Sequence, residues 1–273
     1  MSRVAVVTDS AAALPPDVAA RLGVHVVPLW LLIGGERHRD GDLPLEAVVA
    51  RFSEPISTSA PSPGEYAEVM AQLRGDGPVV ALTVSERMSS SFEAAVLAAK
   101  LVAGDAARVV DAAWRTGAAS SSVALGPGAD GAPAAEVVVV DTDTAAGAQG
   151  LVVQAAAEAA GQGADLATVL AVIERVVDRV RLVATVADLE RLAASGRVPE
   201  AARRIGDRLG VQPLFEFRHG RARPLRPAFS TAAARDRILR RCVADAPPPG
   251  PRPGRLHATV LHALDPASCD TGP

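Results

Sequence analysis

Aromatic residues are scarce in this sequence of 273 residues: phenylalanine, tyrosine and tryptophan make up 3% of it, whereas hydrophobic residues make up 49%. The chain has enough apolar side chains for one large or two ordinary domains, but their core must consist mainly of valine, leucine and alanine. The two cysteines, Cys242 and Cys269, are too few for a disulfide framework and favour a reducing compartment.

Long hydrophobic runs are also missing. No run reaches the roughly 18 apolar residues that a membrane-spanning helix needs. The first apolar run ends at Asp9, which makes it too short for a signal peptide. We therefore expect a cytoplasmic protein without membrane insertion.

The sequence has no excess of positive charge: its net charge is −3, and Lys100 is the sole lysine among 28 basic residues. This balance excludes a nucleic-acid partner that is bound through bulk charge. The overall charge balance is compatible with a local surface patch of arginines.

Short β-branched runs that end in polar residues alternate with alanine-rich stretches. The runs at 4–7, 79–84 and 137–140 are apolar except for Thr83, which is typical of strands buried on both faces of a parallel sheet. The run at 24–33 predicts a further strand, at an edge or bend because of Pro28. Helices are predicted at 16–22, 44–52, 63–74, 91–103, 145–160, 165–180, 188–195, 199–209 and 231–243.

The pattern changes after residue 180, where strands are predicted at 182–186, 211–217, 222–225 and 256–261. The predicted fold class is α/β with two domains. Residues 1–180 are predicted to form a three-layer α/β/α domain around a parallel sheet. Within this domain residues 111–135 are rich in Ala, Gly and Ser, which predicts a loop insertion. Residues 181–273 form a smaller α+β domain with a mixed sheet.

Two clusters of hydroxyl side chains, Thr58–Ser62 and Ser89–Ser91, directly precede predicted helices. Ser62 with Glu65, and Ser90 with Glu93, have the spacing of capping boxes. The remaining hydroxyls of Thr58, Ser59, Ser89 and Ser91 could bind a small anion beside the helix N-termini. Asp9 and Ser10 follow the first strand and belong to the same expected edge of the sheet. The simpler interpretation is that all these hydroxyls only cap helices.

The acidic residues at the strand ends support a different hypothesis. Asp9, Asp141 and Asp143 could hold Mg²⁺ or supply a nucleophile in a small-molecule phosphotransferase or hydrolase. No phosphate-binding GxxxxGK[ST] motif and no GxSxG motif accompanies them. The alternative is that these carboxylates accept hydrogen bonds from loop N–H groups.

Arginines are concentrated between residues 197 and 226. Arg197 follows Gly196, which is the expected end of a helix, and could reach an anionic ligand. Arg221, Arg223 and Arg226 belong to the stretch that follows. They form either a solvated surface or a docking site for an acidic partner.

Seven ordered blocks of this sequence resemble the DegV family of bacterial fatty-acid-binding proteins. The blocks are VAVVTDSAAALP at 4–15, VHVVPLWLLIGGERHRDG at 24–41, STSAPSPGEY at 57–66, SERMSSSFEAA at 85–95, VVVVDTDTAAGAQG at 137–150, LERLAASGRV at 189–198 and VQPLFEFRHGRARPLRPAFS at 211–230.

The resemblance implies a non-enzymatic carrier that buries one long-chain fatty acid between two domains. It implies that Thr58 and Ser89 hydrogen-bond the carboxylate, that Ser59 and Ser91 line the site, and that Arg197 faces the head group. In several members the protein presents its fatty acid to the catalytic subunit of a fatty acid kinase, which forms an acyl phosphate for phospholipid synthesis. The resemblance therefore implies a kinase-facing surface at Arg221, Arg223 and Arg226, transient membrane contact without insertion, and no cofactor besides the bound fatty acid.

The sequence departs from the family pattern in two places. The family's Ser-Gly-Thr is Ser89-Ser90-Ser91 here, which keeps the site polar but adds a side chain at the middle position. The family has a C-terminal motif that contains a histidine. Only residues 270–273 are weakly similar to this motif here, and Asp270 occupies the position of the histidine. We expect the second domain to stop short after the strand at 256–261, and this limits the prediction to binding.

Overall fold

A computed structural model describes residues 3–111, 136–186, 212–244 and 257–261. The chain divides into two compact units, Met1–Val180 and Arg181–Pro273. The predicted helices at 188–195 and 199–209, and nearly all of the predicted insertion at 111–135, lie outside the described residues. Within the described residues no helix combines the length and the hydrophobicity needed to cross a membrane.

The first unit contains eight described strands and six described α-helices. The strands are β1 (Ala5–Asp9), β2 (Val24–Val27), β3 (Trp30–Ile33), β4 (Glu36–Arg39), β5 (Ile56–Ser59), β6 (Val79–Thr83), β7 (Ala107–Val110) and β8 (Val137–Asp141). The helices are α1 (Pro16–Leu22), α2 (Leu45–Ala50), α3 (Pro63–Leu73), α4 (Ser91–Ala103), α5 (Ala146–Gly161) and α6 (Leu166–Arg179).

Five of these strands form a parallel sheet in the order β2-β1-β6-β8-β7. Alternate residues of its strands point to opposite faces. Val6 and Leu82 pack with residues of α5 and α6 on one face, whereas Val7 and Ala81 pack with residues of α3 and α4 on the other. The predicted three-layer α/β/α arrangement is confirmed.

The run at 24–33 forms two strands rather than the single strand that was predicted. β2 joins the parallel sheet, whereas β3 pairs with β4 and β5 in a separate antiparallel sheet of order β4-β3-β5. The break falls at Pro28 and Leu29, since proline has no N–H to continue a ladder. The backbone N–H of Leu29 donates instead to the hydroxyl of Ser10.

The second unit contains β9 (Leu182–Thr185), β10 (Gln212–Arg218), β11 (Arg221–Ala228) and α7 (Thr231–Ala244). The sheet that was predicted as mixed is antiparallel in its described strands, in the order β11-β10-β9. The strand predicted at 256–261 is wrong for residues 257–261, which have no strand partner among the described residues.

Gly150 allows α5 to approach the turn that follows β1. A Cβ atom at this position would lie 2.7 Å from the carbonyl oxygen of Ala12, which is backbone and cannot rotate away. We expect Gly150→Ala to lower the free energy of unfolding by about 1–3 kcal/mol, the usual cost of overpacking. Urea denaturation measures this change.

Gly161, at the end of the same helix, is the matched control. The nearest atom to a Cβ there is Nη2 of Arg3 at 3.8 Å. Gly161→Ala should therefore stabilise the protein by up to about 1 kcal/mol through helix propensity alone. Equal effects of the two substitutions would contradict the close approach at Gly150.

Candidate functional site

Buried polar side chains collect where the central strands of the parallel sheet end, which is where open α/β sheets bind ligands. The buried polar residues at these ends are Thr8, Asp9, Thr83, Ser85, Asp141, Thr142, Asp143 and Thr144. The sequence predicted this concentration, and the adjacent positions of β1, β6 and β8 explain it.

Asp9 ends β1 and is completely buried. Its Oδ1 accepts a hydrogen bond from Nε2 of Gln149 at 2.9 Å. Its Oδ2 accepts from the backbone N–H of Val84 at 3.0 Å and from the hydroxyl of Tyr66 at 3.3 Å. Burial raises the pKa of this carboxyl, and the hydrogen bonds from Gln149, Val84 and Tyr66 oppose that rise.

Tyr66 contacts Asp9 from α3. Its side chain is fully buried in the first turns of that helix, and its hydroxyl donates to Oδ2 of Asp9 at 3.3 Å. The serine cluster before α4 has its own contact, since the hydroxyls of Ser91 and Ser89 are 2.9 Å apart. α3 and α4 pack against each other.

The two predicted capping boxes have different outcomes. That of Ser62 and Glu65 is confirmed: Glu65 N donates to the Ser62 hydroxyl at 3.3 Å, and Ser62 N donates to the Glu65 carboxylate at 2.6 Å. That of Ser90 and Glu93 is wrong, because the Ser90 side chain is exposed and caps no backbone group. Ser90 has φ −78° and ψ 8°, not the extended conformation that a capping side chain needs. The hydroxyl of Ser89 accepts from Ser91 N instead, at 3.2 Å.

Thr58 and Ser59 lie on β5, where both are exposed and pair with Leu31 and Trp30 of β3. Trp30 links this small sheet to the start of α3, since its Nε1 donates to the carboxylate of Glu65 at 3.4 Å. Arg39 stacks on the ring of Trp30, 3.8 Å from its centroid, and forms an ion pair with the same carboxylate.

Ser10 has protein partners on both sides of its hydroxyl. It donates to Oδ2 of Asp40 at 2.6 Å and accepts from Leu29 N at 3.0 Å. These bonds connect the turn after β1 to Leu29, which lies between β2 and β3, and to Asp40, which follows β4. Arg197, the cation predicted for the head group, lies outside the described residues.

The strand-end carboxylates do not form the predicted magnesium site within the described residues, where no three potential metal-ligating side chains come together. Oδ1 of Asp141 accepts from Asp143 N at 2.8 Å. Burial raises the pKa of Asp141 to about 7, and the negative charges of Asp143 and Glu86 add to that rise.

A groove of about 510 Å³ runs between α6 and the edge of the sheet at β7. Val110, Val140 and Leu170 supply apolar parts of its lining. None of the predicted site residues that the structure describes lines this groove, so the burial of an acyl chain stays a prediction.

Two of the residues that form the buried site were missed by the sequence analysis. Tyr66 is the only tyrosine of the chain and lies in an otherwise ordinary amphipathic helix. Gln149 lies between Ala148 and Gly150 in an apolar helix and is completely buried. A single amide side chain in an otherwise apolar helix could have indicated a buried polar contact, because a buried amide requires a polar partner.

Residues 3–267 match the family model described as "Uncharacterised protein, DegV family". This chain belongs to the DegV family. A DegV domain-containing protein of Deinococcus radiodurans is 33% identical in an alignment of 223 positions, which covers 80% of this chain and 68% of that protein. A DegV domain-containing protein of Mycobacterium tuberculosis is 30% identical in an alignment of 277 positions, which covers 98% of this chain and 83% of that protein.

Solved structures of DegV proteins share the fold. One described as "Fatty Acid Binding of a DegV family Protein from Thermus thermophilus" has a TM-score of 0.72 and 30% sequence identity, and the match covers 89% of this chain and 78% of that one. The fatty-acid-binding DegV protein of Bacillus subtilis has a TM-score of 0.71, with 90% of this chain and 80% of that one covered. At 23% identity, that second match bears on the fold alone.

Proposed function

We propose that this DegV protein binds one long-chain fatty acid and holds its carboxylate at the serine hydroxyls that precede α4. The observation that carries the proposal is the pair of Ser89 and Ser91, whose hydroxyls are 2.9 Å apart at the N-terminus of α4. The N-terminus of a helix favours an anion, because its N–H groups lack partners within the helix and its dipole is positive there. The fatty-acid-binding relative from Thermus thermophilus supports an acyl chain as the rest of the ligand.

The contacting residue in this proposal is Ser89. Its side chain is half-buried, whereas Ser91 is fully buried behind it. Thr58 and Ser59 belong to the head-group site in the proposal, and the role of Arg197, which lies outside the described residues, stays a prediction. Ser62 and Ser90 directly precede α3 and α4, whose N-termini face the carboxylate in the proposal. Asp9 ends β1, Ser10 follows it, and both hold the surrounding residues in place through their hydrogen bonds.

The acyl chain would supply most of the affinity. Burial of each CH₂ contributes about 0.8 kcal/mol, so a long chain outweighs the head group even after the cost of ordering it. The carboxylate site sets the orientation of the ligand instead. A carrier needs affinity from the acyl chain and orientation from the carboxylate site, since the head group must stay accessible for a later reaction.

The proposed role is that of a carrier without an enzymatic step of its own, acting in the cytoplasm beside the catalytic subunit of a fatty acid kinase. Arg221, Arg223 and Arg226 are all exposed on β11, at an edge of the sheet of the second unit. Exposed arginines at a sheet edge suit an acidic partner surface and speed its association. Acyl-phosphate formation belongs to that partner in this proposal.

The decisive experiment is mass spectrometry of the natively purified protein, first intact and then after denaturation and extraction. We expect one long-chain fatty acid per chain in the intact complex and the same acid in the extract. A folded sample that carries no fatty acid and takes up none when hexadecanoate is added would refute the proposal. Exclusion of water from the acyl chain predicts that exchange of the bound acid is slow.

A further inference from the structure

Helix α4 has an exposed face that carries two leucines. Its opposite face is buried against the parallel sheet through short side chains, which include Ala95, Ala98 and Ala99. On the exposed face, the side chains of Leu97 and Leu101 are 52% and 74% exposed. Scattered surface leucines are ordinary, but these two are neighbours on the helix surface because they are one turn apart. They therefore form one continuous apolar patch.

Two charged side chains lie on the same face of α4, one on each side of Leu97. Glu93 comes one turn before Leu97, and Lys100 comes about one turn after it. Both side chains are exposed, and neither forms an ion pair with another described residue. Lys100 is also the sole lysine of the chain. Along the helix, the exposed face therefore presents an acid, then a leucine, then a base.

This order of charges is complementary to itself in an antiparallel pair of helices. Glu93 and Lys100 are two turns apart, about 10 Å along the helix axis, and their midpoint falls beside Leu97. When a second copy of α4 packs against this face in the opposite direction, Glu93 lies beside the partner's Lys100, and Lys100 lies beside the partner's Glu93. The two copies of Leu97 then meet at the twofold axis. Leu101 packs over the first turn of the partner's helix, where the exposed Ser90 has a small side chain.

The pattern of charges selects a second copy of this chain over other partners. A parallel pair of α4 helices would place Glu93 beside Glu93 and Lys100 beside Lys100, and like charges repel. An acidic protein surface or an anionic membrane would attract Lys100 and repel Glu93, whereas a basic surface would do the reverse. The antiparallel pair satisfies both charges and covers the leucines, because a twofold interface requires one patch that complements itself.

We propose that α4 is a self-association surface, through which two copies of this chain form a twofold dimer with Leu97 at the axis and ion pairs between Glu93 and Lys100 at both ends. This inference goes beyond the proposed function and does not depend on it. One pair of helices buries less area than the roughly 1,200 Å² of a stable interface, so the dimer is weak, with a dissociation constant on the order of 10 µM. Because its ion pairs lie at an exposed rim, high salt weakens it further.

Sedimentation velocity of the full chain tests the dimer, at low salt and at protein concentrations from about 1 to 500 µM, where we expect a change from monomer to dimer. Glu93→Lys and Lys100→Glu each place like charges at both ends of the pair, so each should raise the dissociation constant about tenfold or more. An equimolar mixture of the two variants should dimerise again, because a mixed pair has unlike charges at both ends. Glu174→Lys is the matched control, since it makes the same change at an exposed position of α6, on the other face of the sheet, and should leave the dimer unchanged.

A carbodiimide, which couples a carboxylate to an amine without a spacer, locates the contact. Because Lys100 is the sole lysine, we expect mass spectrometry to find a peptide that joins Lys100 to Glu93, and to find it between chains when isotope-labelled and unlabelled protein are mixed. Leu97→Asp should abolish both the dimer and this cross-link.

Three results would overturn the inference. One is a wild-type protein that stays monomeric up to about 500 µM. Another is a dimer that the two charge reversals leave unchanged. The third is a monomer whose binding to phosphatidylglycerol vesicles is lost with Leu97→Asp, which would assign this face of α4 to a lipid surface instead.

Discussion

Ser89→Ala is expected to weaken fatty-acid binding by about 10- to 100-fold. A hydrogen bond to a charged group contributes about 1.5–3 kcal/mol, and each 1.4 kcal/mol corresponds to about a factor of ten in the dissociation constant. The acyl chain keeps its contacts, so binding should weaken rather than disappear. Competition against a fluorescent fatty acid measures the change.

The control must match the structural cost of the substitution. The hydroxyl of Ser89 accepts from Ser91 N at the start of α4, and the hydroxyl of Ser230 accepts from Ala233 N at the start of α7. Ser230→Ala therefore removes a similar cap, worth about 1 kcal/mol of folding free energy, at a position that has no part in the proposed site. Equal affinities of the two variants would place the carboxylate away from Ser89.

Thr58→Val tests the second hydroxyl that the family resemblance assigns to the carboxylate. Valine keeps the β-branched shape that an exposed position on β5 accepts. If Thr58 shares the carboxylate with Ser89, the double variant should bind more weakly than either single one, and the two effects should not add independently.

The parallel sheet and the buried polar residues at its strand ends could be predicted from the sequence because both depend on local patterns. Continuous apolar runs indicated strands buried on both faces, and the first polar residues after them marked the edge where ligands bind. Asp9 at the end of β1 is an example. The Ser62 capping box is equally local, since its two partners are three residues apart.

Other features depend on contacts that no local pattern contains. Tyr66 and Gln149 reach Asp9 across 57 and 140 residues of sequence. The failed cap at Ser90 has the correct spacing, but the turn before α4 gives it the wrong backbone conformation. β4 and β5 were missed because they consist of ERHR and ISTS, which lack the apolar alternation of a half-buried strand.

Asp141 offers the clearest expected effect of pH on stability. Its carboxyl is completely buried, its Oδ2 has no hydrogen-bond partner among the described residues, and its pKa is raised from 3.8 to about 7. The unfolded chain therefore loses this proton at a lower pH than the folded protein. The stability that Asp141 contributes is complete below about pH 4, falls as the pH rises towards 7, and stays low above it. Over about three pH units, the loss amounts to about 4 kcal/mol.

Asp141→Asn should remove this fall, because asparagine has the same shape and cannot ionise. We expect the variant to gain stability over the wild type as the pH rises from about 4 to 8, by up to about 4 kcal/mol at the upper end. Any constant cost of placing an amide beside Asp143 N is present at every pH and does not change the slope. Asp165→Asn should show no such gain, since the pKa of Asp165 is lowered. Urea denaturation at several pH values measures the difference, and a difference that is independent of pH would mean that Asp141 ionises as an ordinary carboxyl.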